Sequence, residues 1–365
     1  MKILYDHQMF SYQKFGGITK YFVELIKNMS EENQCLLSLL FSENHYLKEN
    51  RKLFKKSNLL PSNEFKGKAT AKEYLAKLNK AYSNYRIASN KFDLFHPTFY
   101  DDYFLEVLKK PYVVTVHDLI EFRYKDTFFK HSLNRPHMEK VIQNANRIIA
   151  ISENTKEDLL NTFNLNPDAI DVIHHGFNDT AKSKKTNHFG KYILFVGDRG
   201  SYKNFVGLVA AVSGLLKKDK GLKLVCVGKA FIPEELELFK ELNVDEQLFA
   251  LNVDEATLNE LYSHALVFVY PSLYEGFGMP ILEAFSNNCP VCLSDASCFP
   301  EIAGEAAAYF DPTDKDSMTQ CIEKVMSDKE IAEKLRRAGK TRLKDFSWKK
   351  TADMTLNTYQ KALQA

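Results

Sequence analysis

Glu275 and Glu283 stand eight residues apart in the run Glu275-Gly276-Phe277-Gly278-Met279-Pro280-Ile281-Leu282-Glu283. Carboxylates accept hydrogen bonds from sugar and ribose hydroxyls. Pro280 sits where a helix can begin, so Gly278, Met279 and Pro280 lie beside a helix N-terminus that can hold phosphate. Upstream, Gly197-Asp198-Arg199-Gly200-Ser201-Tyr202-Lys203 places one Arg and one Lys four residues apart in a glycine-containing loop. A planar guanidinium and a compact ammonium suit a diphosphate. Taken singly, Glu283 is an ordinary helix-surface residue and the two cations are incidental charges of a solvated loop. Together they point to a ligand rich in hydroxyls at one end and anionic at the other.

Two further groups carry possible chemistry. Phe15-Gly16-Gly17-Ile18-Thr19 is a glycine pair opening a helix, where backbone N–H groups can approach an anion. It also reads as a plain turn, and it lacks the full G-x-G-x-x-G spacing, which argues against a nicotinamide or flavin dinucleotide. His117-Asp118 follows the apolar run 112–116, and a histidine just after a central strand faces a ligand cleft. The packing role of a lone histidine is equally common. Cys289-Pro290-Val291-Cys292 matches C-x-x-C, but no second pair or His cluster accompanies it, which argues against a redox pair or half a zinc site. The cysteines at 35, 226, 289, 292, 298 and 321 have no disulfide-framework spacing.

Stretches of strand length position these groups: 2–5, 35–41, 92–96, 112–116, 147–151 and 171–173, then 192–197, 222–228, 247–251, 265–270, 291–294 and 308–310. They are apolar nearly throughout, as parallel strands covered on both faces must be. Helical stretches such as 19–28, 153–163 and 317–339 lie between them. The pattern predicts two doubly wound α/β domains. The polar segment 178–191 suits the linker, which gives domains at 1–180 and 181–345 and a terminal helix at 346–365. Two such sheets facing each other make a cleft, and the motifs above fall just after strands, where that cleft requires them.

The composition agrees. A chain of 365 residues, 45% hydrophobic and 26% charged, holds enough apolar side chains for two cores and excludes disorder, collagen and coiled coil. No apolar run approaches the roughly 20 residues that span a bilayer, and the start becomes polar too soon for a signal peptide. A cytoplasmic protein is expected. The net charge of +2 gives no field for nucleic acid. Segment 48–91 holds twelve Lys or Arg against three Glu, interleaved with Leu and Tyr. It reads as a solvated helical face covering a core, or as a basic surface for anionic lipid head groups or a phosphorylated, lipid-linked acceptor at the inner face of the membrane.

Glu275 to Glu283 resembles the E-x7-E signature of retaining, nucleotide-sugar-dependent glycosyltransferases of GT-B architecture, in particular glycosyltransferase family 4. Pro290-Val291-Cys292-Leu293-Ser294-Asp295 and Cys298-Phe299-Pro300-Glu301-Ile302 resemble the family's next segment. Phe15 to Tyr21, Val116-His117-Asp118-Leu119 and Ile149-Ala150-Ile151-Ser152-Glu153 match its upstream order, with the likeness weakest between about 44 and 91. The resemblance implies that Glu275 contacts the donor sugar and Glu283 the ribose, and that Arg199 and Lys203 neutralise the diphosphate. It further implies that Gly276 and Phe277 belong to the donor loop and that the amides of Gly278, Met279 and Pro280 help hold phosphate or sugar. Gly16 and Gly17 would close on the phosphate and His117 would face the transferred sugar. Many members separate the Arg and Lys by more residues than this chain does. Cys289 and Cys292 would be structural.

No cofactor beyond the nucleotide sugar, GDP- or UDP-linked, is implied, and no metal, since Asp101-Asp102 lacks D-x-D spacing. Transfer would retain the anomeric configuration, with the departing phosphate helping to deprotonate the acceptor. The segment 346–365 resembles the terminal helix that crosses back to the N-terminal domain, with Ser347 as N-cap and Trp348 as anchor. Two other readings stand beside this one. A nucleotide-sugar epimerase or phosphorylase of the same plan would need no acceptor or would carry a pyridoxal-phosphate lysine, and a non-catalytic sugar-binding protein would release no nucleoside diphosphate.

Overall fold

A computed structural model of the chain describes residues 1–51, 58–59, 68–179 and 189–364. Segment 52–57 and 60–67 of the basic stretch and 180–188 of the linker lie outside the described residues. The chain divides into two compact units, Met1–Gly176 with Ser347–Ala365, and Phe177–Phe346.

The first unit holds β1 (Lys2–Tyr5), β2 (Gln34–Leu37), β3 (Phe41–Ser42), β4 (Asn58–Leu59), β5 (Leu94–His96), β6 (Val113–Val116), β7 (Arg147–Ala150) and β8 (Ile170–Val172). Two parallel sheets, β2-β1-β5 and β6-β7-β8, are joined by a bridge between Phe95 and Tyr112, where Phe95 N donates to Pro111 O at 3.0 Å. β3 and β4 form a short parallel pair of their own. The second unit holds β9 (Lys191–Val196), β10 (Leu222–Val227), β11 (Leu248–Leu251), β12 (Val267–Tyr270), β13 (Val291–Ser294) and β14 (Ala308–Phe310). These form one parallel sheet in the order β11-β10-β9-β12-β13-β14. Chain direction across the sheet reverses between β9 and β12, which opens a crevice beyond their carboxyl ends.

Residues of β12 and β13 are buried along their whole length, which explains continuous apolar runs in place of alternation. Side chains cap the helices between strands: Ser152 Oγ accepts from Thr155 N at 3.1 Å and Asp254 Oδ1 from Thr257 N at 2.8 Å. The stretch 317–339 is two helices, Lys315–Ser327 and Lys329–Arg342, where its periodicity reads as one. Asp328 makes the break, because its carboxylate accepts from Glu330 N and Ile331 N and so starts a new helix.

The helix Lys68–Ala88 turns Asn79, Ser83 and Ile87 inward, while Tyr74 and Tyr85 stand out in solvent. The helix Trp348–Gln364 shares the core of β1, burying Trp348, Ala352, Tyr359 and Ala362 with Ile3 and Tyr5. Its first residue lies on Gly176, where a Cβ would come within 2.2 Å of Trp348 N. Ser347 Oγ is a distant cap, 3.5 Å from Lys350 N. No helix among the described residues is long and apolar enough to cross a membrane.

Candidate active site

In the second unit the loops after β9 and β12 meet at the reversal of strand order. Leu273 N donates to Tyr202 O at 2.8 Å, which ties one loop to the other. Lys203 Nζ donates to Glu275 Oε1 at 2.5 Å, with the two side chains only 14% and 13% exposed. Ser272 Oγ donates to the same carboxylate oxygen at 2.7 Å, and Glu275 N donates to Ser297 Oγ at 3.1 Å. The Lys203 ammonium lies over the rings of Tyr202 and Tyr270 at 5.1 and 5.7 Å. Burial, and then the Glu275 charge, hold the Tyr270 phenol well above its usual range. The result is a cation and a carboxylate held largely out of water beyond the carboxyl ends of β9 and β12.

Gly278 caps the helix Met279–Ser286 with φ +93°, a left-handed conformation that favours glycine. A Cβ there would also crowd Ile281 Cδ1 at 3.0 Å and Phe299 at 3.1 Å. One expectation needs correcting. Pro280 has no backbone N–H, so of the three residues only Gly278 and Met279 can donate to a ligand there. Glu283 lies in the same helix and accepts from Tyr262 OH at 3.1 Å. Gly276 and Phe277 are buried, and the Phe277 ring meets Phe346 edge-on at 5.9 Å.

Arg199 stands apart from this group. Its Nε donates to Glu235 Oε1 at 2.7 Å, Nη1 to Lys229 O at 2.9 Å and Nη2 to Ala230 O at 2.6 Å. Of the two cations in the loop, Lys203 is the one beside Glu275.

In the first unit, Gly16 and Gly17 open the helix Gly17–Asn28, and a Cβ at Gly17 would meet nothing within 4 Å. His117 follows β6, and its backbone N donates to Tyr100 OH at 3.2 Å. Its Nε2 is buried without a hydrogen-bond partner among the described residues. Its ring stacks on His175 at 5.7 Å and 9° and meets the Tyr21 ring edge-on at 5.3 Å. Beneath it runs a buried polar chain. His96 Nδ1 pairs with Tyr359 OH at 2.6 Å, His96 Nε2 with Thr115 Oγ1 at 3.0 Å, and Thr115 Oγ1 with Tyr21 OH at 3.2 Å.

Burial pushes the imidazoles down, His117 to about 4, His96 to about 3 and His175 well below its usual value. His96 and His175 are missed by motif reading, although each sits at or just after a strand, the same signal that singles out His117.

The carboxyl ends of β1 and β5 open on a cavity of about 550 Å³, lined by Gln8, Tyr12, Lys80, Asp101, Leu133 and His137 among others. Lys80 Nζ lies 2.9 Å from Asp101 Oδ2, and Asp102 pairs with His137 at 2.8 Å and Lys140 at 3.0 Å. Cys289 and Cys292 are both buried, and burial raises both thiols. Among the described residues no three His, Cys, Asp or Glu side chains converge as a metal-binding group.

Comparison with known proteins follows the same division of the chain. Residues 177–342 match the family described as glycosyl transferases group 1, and residues 15–181 match glycosyltransferase family 4. The O-antigen chain mannosyltransferase RfbU of Salmonella typhimurium is 28% identical over 58% of this chain and 60% of its own length, so the chain spans under two thirds of that relative. O-antigen chain mannosyltransferase B of Escherichia coli is 26% identical over 99% of this chain and 100% of its own. Among solved structures, sucrose-phosphate synthase from Thermosynechococcus elongatus superposes with a TM-score of 0.77 at 18% identity, covering 99% of this chain and 98% of that one.

Proposed function

The chain belongs to the group 1 glycosyltransferases of family 4, which have the GT-B fold of two Rossmann-like units, and we propose that it moves a hexosyl group from a nucleoside diphosphate sugar to a hydroxyl of a glycan or lipid-linked acceptor in surface polysaccharide biosynthesis. Mannose is the first candidate for the hexose, since both O-antigen relatives are mannosyltransferases by name. The observation that carries the reading is the Lys203–Glu275 pair at 2.5 Å, set where the strand order reverses and beside the Gly278-capped helix.

Lys203 with the Gly278 and Met279 amides takes the diphosphate, Glu275 the sugar and Glu283 the ribose. The cavity above β1 and β5 in the first unit takes the acceptor saccharide. The step breaks the bond from C1 to the phosphate oxygen, whose electron pair leaves with the diphosphate. The acceptor oxygen bonds C1 on the same face, and its proton passes to the departing phosphate. A fixed ammonium and N–H donors in a dry site stabilise the charge that develops on the leaving group, so the reaction needs no divalent ion there. The enzyme works in the cytoplasm, peripheral to the membrane that carries its acceptor.

Incubation with GDP-mannose or UDP-hexoses and lipid-linked saccharide acceptors tests this. Release of nucleoside diphosphate with an α-linked product from an α-linked donor, undiminished by EDTA, is expected. A new sugar isomer formed from donor alone would replace the reading with an epimerase, and nucleotide binding without release under any acceptor would replace it with a sugar-binding protein.

A further inference from the structure

We propose that Arg199 is a positioning residue that locks the loop 228–232 and, through it, sets the choice of nucleotide base, rather than a ligand of the diphosphate. The proposal rests on the donor-site reading above. Loop 228–232 leaves the end of β10, the neighbour of β9 on the side away from β12, so it flanks the diphosphate loop where a base would extend.

All three groups of the guanidinium fork are committed to that loop or to the helix that follows it. Lys229 O and Ala230 O each accept one bond, and Glu235 Oε1 accepts the third. The other oxygen of Glu235 accepts from Ile232 N at 2.9 Å, which closes the loop onto the helix Pro233–Glu241. Arg199 and Glu235 side chains are 6% and 9% exposed. The guanidinium also lies over Phe231 at 4.9 Å and Phe205 at 5.4 Å, one ring in the loop and one in the core. The start of the loop is equally constrained. Gly228 has φ +157°, and a Cβ there would stand 2.7 Å from Gly197 O, the first carbonyl beyond β9.

To reach a diphosphate, Arg199 would have to abandon a buried carboxylate and two carbonyls and leave each short of a donor. A buried charge stripped of its partner costs far more than a surface contact returns. Lys203 already supplies the cation at the reversal point. What Arg199 alone supplies is a rigid loop, and a rigid loop discriminates between bases because its polar groups cannot rearrange to suit the wrong one.

The test compares wild type, Arg199→Lys, Glu235→Gln and Lys203→Ala in binding UDP, GDP and inorganic pyrophosphate, with amide exchange followed across 229–232. Arg199→Lys keeps the charge but loses the fork. We expect it to weaken the preferred nucleoside diphosphate about tenfold, to bring the UDP and GDP affinities together, to speed exchange at Ile232, and to leave pyrophosphate within about twofold. Glu235→Gln should do the same, whereas Lys203→Ala should weaken all three ligands. An equal loss of pyrophosphate and nucleotide in Arg199→Lys, tighter pyrophosphate in Glu235→Gln, or a wild type indifferent to the base would each overturn the proposal alone. A wild type that binds neither nucleotide overturns the donor-site reading together with it.

Discussion

Lys203 Nζ donates to Glu275 Oε1 at 2.5 Å, so the loop that leaves β9 is ionically tied to the loop that leaves β12. Each is the other's main compensation for leaving water. Lys203→Ala is expected to weaken nucleoside diphosphate binding about tenfold to a hundredfold and to lower stability by about 1–3 kcal/mol, since it takes from the carboxylate its cation and leaves it the Ser272 hydroxyl. Titration calorimetry and urea unfolding measure the two effects. A variant that binds as wild type does would remove Lys203 from the donor site.

Glu275→Ala should behave differently. It frees Lys203 from its internal partner, so nucleotide affinity is held or improved while the contact to the sugar in the transition state is lost. Turnover should fall on the order of 10²- to 10³-fold with little change in donor KM. Intact transfer in this variant would exclude Glu275 from the chemistry.

How far the site can be read without coordinates depends on whether a residue's role is local. Strands such as Val267–Tyr270 and Val291–Ser294 are legible because burial on both faces demands uninterrupted apolar residues. Gly278 is legible for the same local reason, as the cap its own φ requires. Arg199 is not. Its direction is decided by Glu235, which lies 36 residues further along the chain, and no spacing rule links the two. The break at Asp328 is likewise hidden, because the apolar period runs on through it while the carboxylate competes for the backbone. The polar chain His96–Thr115–Tyr21 joins three elements through side chains that an apolar-run reading counts as core.

That chain carries a pH prediction. His96, His117 and His175 are neutral in the folded protein because burial lowers their pKa values, to about 3 for His96 and about 4 for His117. An unfolded histidine takes its proton near 6.5, so below that pH the unfolded chain binds more protons and stability falls. The loss should begin near pH 6.5 and continue down to the folded values. In urea unfolding between pH 7 and 5, His96→Asn should reduce the slope of stability against pH by about 1 kcal/mol per unit on average, rising toward the one-proton limit of about 1.4 kcal/mol per unit near pH 5. A slope unchanged by that substitution would show His96 to be protonated alike in both states.

The cavity above β1 and β5 gives a separate handle on the acceptor. Asp101 sits on its wall with Lys80 at 2.9 Å, so its charge is already compensated and its outer lone pairs suit neutral hydroxyls. Asp101→Asn should raise acceptor KM about tenfold and leave donor affinity and donor-only hydrolysis unchanged. An acceptor KM equal to wild type would move the acceptor elsewhere in the first unit.

Trp348 is the sole tryptophan of the chain and stands at the first turn of the terminal helix, buried against Tyr21 and His175. A Cβ on Gly176 would lie 2.2 Å from Trp348 N and 2.6 Å from its ring, so the backbone of the helix, not a flexible side chain, would have to move. Further along, Tyr359 OH holds His96 and Tyr5 at 2.6 and 3.0 Å, which makes the helix part of the same core as β1. Gly176→Ala should therefore lift the first turn while leaving the Tyr359 end docked, at a cost of about 1–3 kcal/mol typical of overpacking. Trp348 emission should shift to longer wavelength, and proteolysis should cut near 346–349 before it cuts elsewhere. Unchanged emission with wild-type stability would mean that the helix start yields without loss, and the contact with Gly176 would then not be what anchors it.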